Sequence, residues 1–235
     1  MRLQSSNPVI KTVERGEYVS DQAVTYANVA TKTAFLILIM AVSAFITIRY
    51  LGHLTWGLLI GAMIIGFISV IIGTRSVKLS PIFAVIYAIC EGAVLGIISF
   101  MYALLVEGIV PTALLTTVIV LLVMLLLYST GIIKVTQRFA SVMVVALISV
   151  IIMSVVALIF SNFFQMSGLY FLICGVSAIL SALFLLLDFE SIRNCVESGA
   201  DKSTGWVLSL GLLVTLVWVY IEILRLVAIF SRNRN

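Results

Sequence analysis

Charge is scarce in this sequence. Of 235 residues, 10% are Asp, Glu, Lys or Arg, whereas 63% are hydrophobic. A soluble domain runs nearer half apolar and about a quarter charged, so a chain of this composition has little from which to build a soluble surface. Histidine occurs once, at His53, and cysteine three times, at Cys90, Cys174 and Cys195. Three is an odd number and no C-x-x-C pair is present, so neither a disulfide framework nor a zinc site is indicated. Cys90 and Cys174 read as packing residues, and Cys195, in a polar stretch, as a free thiol. The first thirty residues are polar and lack the apolar core of a cleavable signal. The first span is therefore expected to act as its own insertion signal.

Long apolar runs fill the space that charge vacates. Seven stand out, at roughly 33–50, 54–73, 81–105, 110–129, 139–160, 168–189 and 206–230. A bilayer crossing takes about 20 such residues. In lipid these runs must be helices, because every backbone N–H and C=O needs a partner within its own segment. The expected fold is all-α, a polytopic membrane protein with a seven-helix transmembrane bundle. Its parts would be a tail over 1–32, a transmembrane domain over 33–230 and a short tail over 231–235. Lys and Arg follow a side bias. Arg2, Lys11, Arg15 and Lys32 precede the first run, and Arg75, Lys78, Lys134, Arg138, Arg193 and Lys202 fall in alternate loops on that side. The opposite loops hold Arg49. The positive-inside rule then puts the N-terminus in the cytoplasm. Seven spans would leave Arg232 and Arg234 outside, against the rule, and a re-entrant seventh run would remove the conflict.

Several chemistries lack their necessary residues. The "CGVSAI" stretch has a G-x-S, but a serine nucleophile needs a base, and His53 falls in an outer loop as an interfacial residue. An aspartyl dyad needs two acids sharing a proton, and Asp188 alone among the aspartates lies in an apolar run; Asp21 and Asp201 are in polar segments. Retinal would need a lysine inside the bundle, and all five lie outside the runs. No metal-ligand spacing, phosphate-cradling loop or nucleic-acid patch is present. The chain is read as a non-enzyme with no metal or other cofactor and no nucleic-acid partner, its net charge of +4 being the topology signal. Gly57 and Gly61, Gly92 and Gly96, and Ser177 and Ser181 have the small-x-x-x-small spacing of close helix packing.

Three acids remain in or at the ends of the apolar runs: Glu91, Asp188 and Glu222. An acid at the bilayer centre costs about 2.5–3.5 kcal/mol on the insertion scale, so each is a functional candidate. Glu91 lies ten residues past Pro81, about 15 Å along its helix and near the midplane. Glu222 lies sixteen residues past Trp206, about 24 Å along, with Arg225 one turn further as a charge partner. Asp188 closes the sixth run, where a helix C-terminus is unfavourable for an anion. The acid is easier to understand if protonated part of the time or paired with a cation.

The stretch "LLLDFESIRNCVESGADKSTGW", the tail "SNPVIK" and the closing "LLVTLVWVYIEILRLVAIF" resemble the Bax inhibitor-1 (TMBIM) family, in its bacterial branch. The resemblance implies a bundle around a central seventh helix that acts as a pH-sensitive calcium or cation leak channel, placed in the bacterial inner membrane. It implies two aspartates on the sixth and seventh helices that share a proton. The first also latches to an arginine at the cytoplasmic end of the second helix. Asp188 matches the first aspartate and Arg75 the latch. The second aspartate position falls at Val214 or Thr215, neither of which titrates. Glu222, the nearest acid, sits about 10 Å further along. The pH sensor and gate are thus expected among Asp188, Arg75 and Glu222, with Glu91 in the ion path. The partners would be the transported cations and the lipid bilayer. The competing expectation is a non-transporting membrane protein that modulates a partner, such as a membrane protease or cell-death regulator. Three costly buried acids favour the leak.

Overall fold

The computed structural model describes residues 23–50, 56–159 and 169–232. They form seven helices: α1 Tyr26–Tyr50, α2 Trp56–Arg75, α3 Ser80–Leu105, α4 Ile109–Ser129, α5 Gln137–Ile159, α6 Leu169–Glu197 and α7 Thr204–Arg232. Six are long and apolar enough to cross a membrane, and α2 contributes a shorter apolar stretch, Leu59–Arg75. The belt of exposed large hydrophobics, such as Phe45, Phe67, Leu115, Ile152 and Ile179, is what lipid rather than water would solvate. His53 lies outside the described residues.

The helix ends follow the chain's breakers. Pro81 opens α3, where its missing N–H is harmless. Gly199, at φ 66°, closes α6. The Ala200 amide then bonds Cys195 O at 3.0 Å and the Gly199 amide bonds Val196 O at 3.1 Å, the paired bonds of a Schellman stop. Two boundaries differ from those read in the sequence. Helix α1 starts at Tyr26, so Lys32 is a helical residue and not part of the tail. Helix α6 runs to Glu197, eight residues beyond the apolar run. Its polar extension "ESIRNCVE" has no glycine or proline to stop it, and Arg193 and Glu197 pair at 2.7 Å. Asp188 is therefore more than two turns inside a helix, and the argument from an unfavourable helix end does not apply to it.

Helix α7 is the hub. It packs on α1, α2, α3, α4 and α6, and 67% of its membrane window is buried against 6% for α5, which leans on α6. The α1–α3 contact is the most extensive in the bundle, and it is tight. A β-carbon on Gly92 would meet the Met40 backbone, and one on Gly96 would stand 2.7 Å from Ala44 O. The Ser43 hydroxyl donates to Ile89 O at 2.7 Å across the same seam. Gly57 and Gly61 have the same spacing but, among the described residues, nothing within 4 Å, so they make no such seam with them.

The end of the bundle where α1 begins is tied together by backbone. Ala23 bridges Asp201, and the Val24 amide bonds Ala200 O at 2.8 Å. The Lys32 ammonium reaches Lys202 O at 2.7 Å and stands 5.1 Å over the Trp206 ring. On the loop, Ser203 donates to Asp201 through both its amide and its hydroxyl. Those bonds hold the Asp201 carboxyl below the usual carboxylate range.

Candidate functional site

Helices α6 and α7 run antiparallel, and the three membrane acids divide around them. Glu222 is buried on α7. Its Oε1 accepts from the Ser177 hydroxyl of α6 at 2.7 Å and from the Trp218 indole at 3.2 Å. The Arg225 guanidinium, one turn on, reaches Oε1 at 3.3 Å and Oε2 at 3.1 Å. Glu222 is thus charge-paired and hydrogen-bonded on both oxygens, the condition under which a buried carboxylate is tolerated. The Arg225 partnership expected from the i,i+3 spacing is present. Ser177 is the serine of the G-x-S stretch, and here its hydroxyl cross-links two helices.

Asp188 lies further along the same interface and is treated differently. Its Oδ2 is buried with no hydrogen-bond partner among the described residues. The neighbouring polar group is the Thr215 hydroxyl of α7, itself a long 3.4 Å from Gly211 O. Thr215 is one of the two positions aligned with the second aspartate of the resembled family, so the structure brings that position to Asp188, carrying a hydroxyl instead of an acid. Leu185, Leu186 and Phe189 around Asp188 are buried. Two residues beyond Asp188, Glu190 accepts from the Tyr128 hydroxyl of α4 at 2.6 Å, and the Tyr128 ring lies 5.8 Å from that of Phe189.

Arg75 and Asp188 are not brought together. Arg75 is exposed at the end of α2, and among the described residues it makes no ion pair. Helices α2 and α6 make no close approach because α7 stands between them. The wedge is Leu210, whose side chain packs so close to Gly73 that a β-carbon there would lie 2.6 Å from it. Asp188 and Glu222 are not paired either. Thr215 and Glu222 are seven residues apart, about 10 Å along α7.

Glu91 faces away from both. It is half-buried on α3, with Oε2 3.7 Å from where a β-carbon on Gly66 of α2 would stand. Tyr87 and Cys90 are its electrostatic neighbours. Among the described residues no group of three His, Cys, Asp or Glu side chains gathers, so the acids stand singly, unlike the clustered oxygen ligands of a resident calcium ion.

Ser177, Trp218 and Thr215 were not singled out as functional by their residue types. The available signal was register. Ser177 and Ser181 stand one turn apart on α6, and Thr215, Trp218, Glu222 and Arg225 recur at three- and four-residue steps on one face of α7. A family model described as Bax inhibitor 1 like matches residues 7–232. No curated protein matches the chain. With nearly its whole length covered, the chain belongs to the Bax inhibitor 1 like family of membrane proteins.

Proposed function

We propose that this protein is a pH-regulated leak for calcium or other cations, with Asp188 as its proton sensor. The observation that carries the reading is the Asp188 carboxyl, buried between α6 and α7 with Oδ2 unpartnered. An anionic Asp188 keeps a charge out of water without a full set of donors, and a buried group in that condition is a source of instability. Proton uptake removes the charge and changes the contact with Thr215 on α7. Because α7 touches five other helices, a change in its seating reaches the whole bundle. Glu222 is the contrasting acid, and its ties to Ser177, Trp218 and Arg225 support a structural role.

The path across the membrane is proposed to use Glu91, a half-buried acid on the α2–α3 side with no ion pair among the described residues. Arg75, exposed at the same end as the α6–α7 loop, is the proposed latch in a second arrangement in which α2 draws towards α6. The Lys/Arg bias supports a cytoplasmic N-terminus, and the family resemblance supports a bacterial inner membrane.

The test is flux of calcium, and separately of potassium, into liposomes holding the purified full chain, measured across pH. Flux that changes with pH is the expected result. Folded, inserted protein that passes no cation at any pH would overturn the leak and leave the non-transporting, partner-modulating reading in its place.

A further inference from the structure

The opposite face of α7 from the acids is also unusual. On a helix turning about 100° per residue, Thr215, Trp218, Glu222 and Arg225 share one side. Leu213, Leu216, Val217 and Tyr220 share the other, and these four form the floor of a cavity of about 390 Å³. Its walls come from α1 and α4, with Ala41 and Phe45 on one side and Leu114 and Val118 on the other, and α3 closes its back with Leu95, Gly96 and Ser99. Helices α1 and α4 make no close approach to each other, so the cavity is a slot that opens sideways between them. At its mouth it merges with the exposed apolar belt, where Phe45 is 67% and Leu114 53% exposed.

The slot offers an occupant almost nothing polar. The Ser99 and Tyr220 hydroxyls bond each other at 2.7 Å, and the Thr117 hydroxyl donates to Ala113 O of its own helix at 2.8 Å. An apolar cavity without free polar partners stays dry even when large. Hydrocarbon is the medium continuous with its mouth in a chain whose helices cross a membrane.

We propose that this slot binds one acyl chain of a bilayer lipid, lying between α1 and α4 against α7. The headgroup stays outside, since the slot presents almost nothing polar to it and no charged group. The bound chain completes the packing of α7 on the face opposite Asp188 and Glu222. The hub helix is then held by protein on one side and partly by lipid on the other. This assignment does not depend on what the acids do.

The experiment uses the full chain in phosphatidylcholine vesicles containing a small share of phosphatidylcholine with a photoreactive diazirine on one acyl chain, with adducts mapped by mass spectrometry. Slot residues Ala41, Leu114 and Leu216 should be labelled above the level of Ile151 and Ile152, which face outward on α5. Two variants, Ala41→Phe on one wall and Val118→Phe on the other, should each lower slot labelling by about tenfold while leaving the α5 adducts unchanged. Size-exclusion profile and melting temperature establish that each variant is folded, and the wild-type map stands without them. Slot labelling no higher than that on α5 would overturn the proposal. So would slot labelling that persists in a folded variant, or chain-to-chain cross-links at the slot in place of lipid adducts.

Discussion

Asp188 and Glu222 sit on one helix–helix interface, and each brings a carboxylate into the bundle. Around Glu222 the chain supplies a serine, an indole and a guanidinium, so both oxygens are occupied. Around Asp188 it supplies leucines, a phenylalanine and one threonine hydroxyl, and one oxygen is left over. The two sites divide the labour that a buried charge permits. A fully satisfied charge fixes the register of two helices, whereas an incompletely satisfied one leaves the interface sensitive to a proton. Breaking a buried pair by removing one partner is strongly destabilising, while neutralising an under-satisfied group is not.

The largest expected effect therefore falls on Glu222. Glu222→Ala strands Ser177, Trp218 and Arg225 and should destabilise the protein by about 3 kcal/mol, read as a lower melting temperature in detergent. An unchanged melting temperature would break the contrast at once. Ser177→Ala removes one hydrogen bond to the charged group and should cost about 1.5 kcal/mol, measured in the same way. Asp188→Asn should leave stability within about 1 kcal/mol of the parent, in either direction, since it discards a charge that lacked a full set of partners. A loss as large as that of Glu222→Ala would mean that Asp188 has partners of equal weight.

A sharper version of the comparison adds an acid. Thr215→Asp places a second carboxyl against Asp188 and should spread any pH response over a wider range, because two neighbouring acids repel when ionised and lose their protons in two separated steps. A response of unchanged slope would show that Thr215 does not face Asp188 in the membrane. The smallest effect is expected at the loop. Asp201 is held below its usual range by Ser203, so its contribution is present above about pH 3.9, the unfolded value, and is lost as pH falls through the lower folded value. Hydrogen exchange at the start of α7 should quicken in that acid window, and Ser203→Ala should remove the dependence.

Much of this was legible in the sequence, and what was not has a common cause. The seven helices coincide with the apolar runs because lipid allows no other backbone pairing. The Glu222–Arg225 pair followed from helical spacing, a property of one segment. The Ser177–Glu222 bond joins residues 45 apart, and its existence depends on the axial register of α6 against α7, which no single segment encodes. The length of α6 was missed because hydropathy marks where lipid ends and not where a helix ends. Nothing in "ESIRNCVE" ends the helix before Gly199. The glycine pairs carry the same lesson: Gly92 and Gly96 meet α1 while Gly57 and Gly61 meet nothing among the described residues, although their spacing is identical. Arg75 was matched to Asp188 by family resemblance, and the arrangement described here interposes Leu210 and α7 between them.

The central claim is that the under-satisfied acid, and not the satisfied one, senses protons. Its most direct test is calcium flux into liposomes across pH for the parent chain, Asp188→Asn and Glu222→Gln, each confirmed as folded and inserted. The account predicts that Asp188→Asn leaks at a rate nearly independent of pH, while Glu222→Gln keeps the parent's pH dependence. A parent-like pH response in Asp188→Asn, or its loss in Glu222→Gln alone, would contradict it.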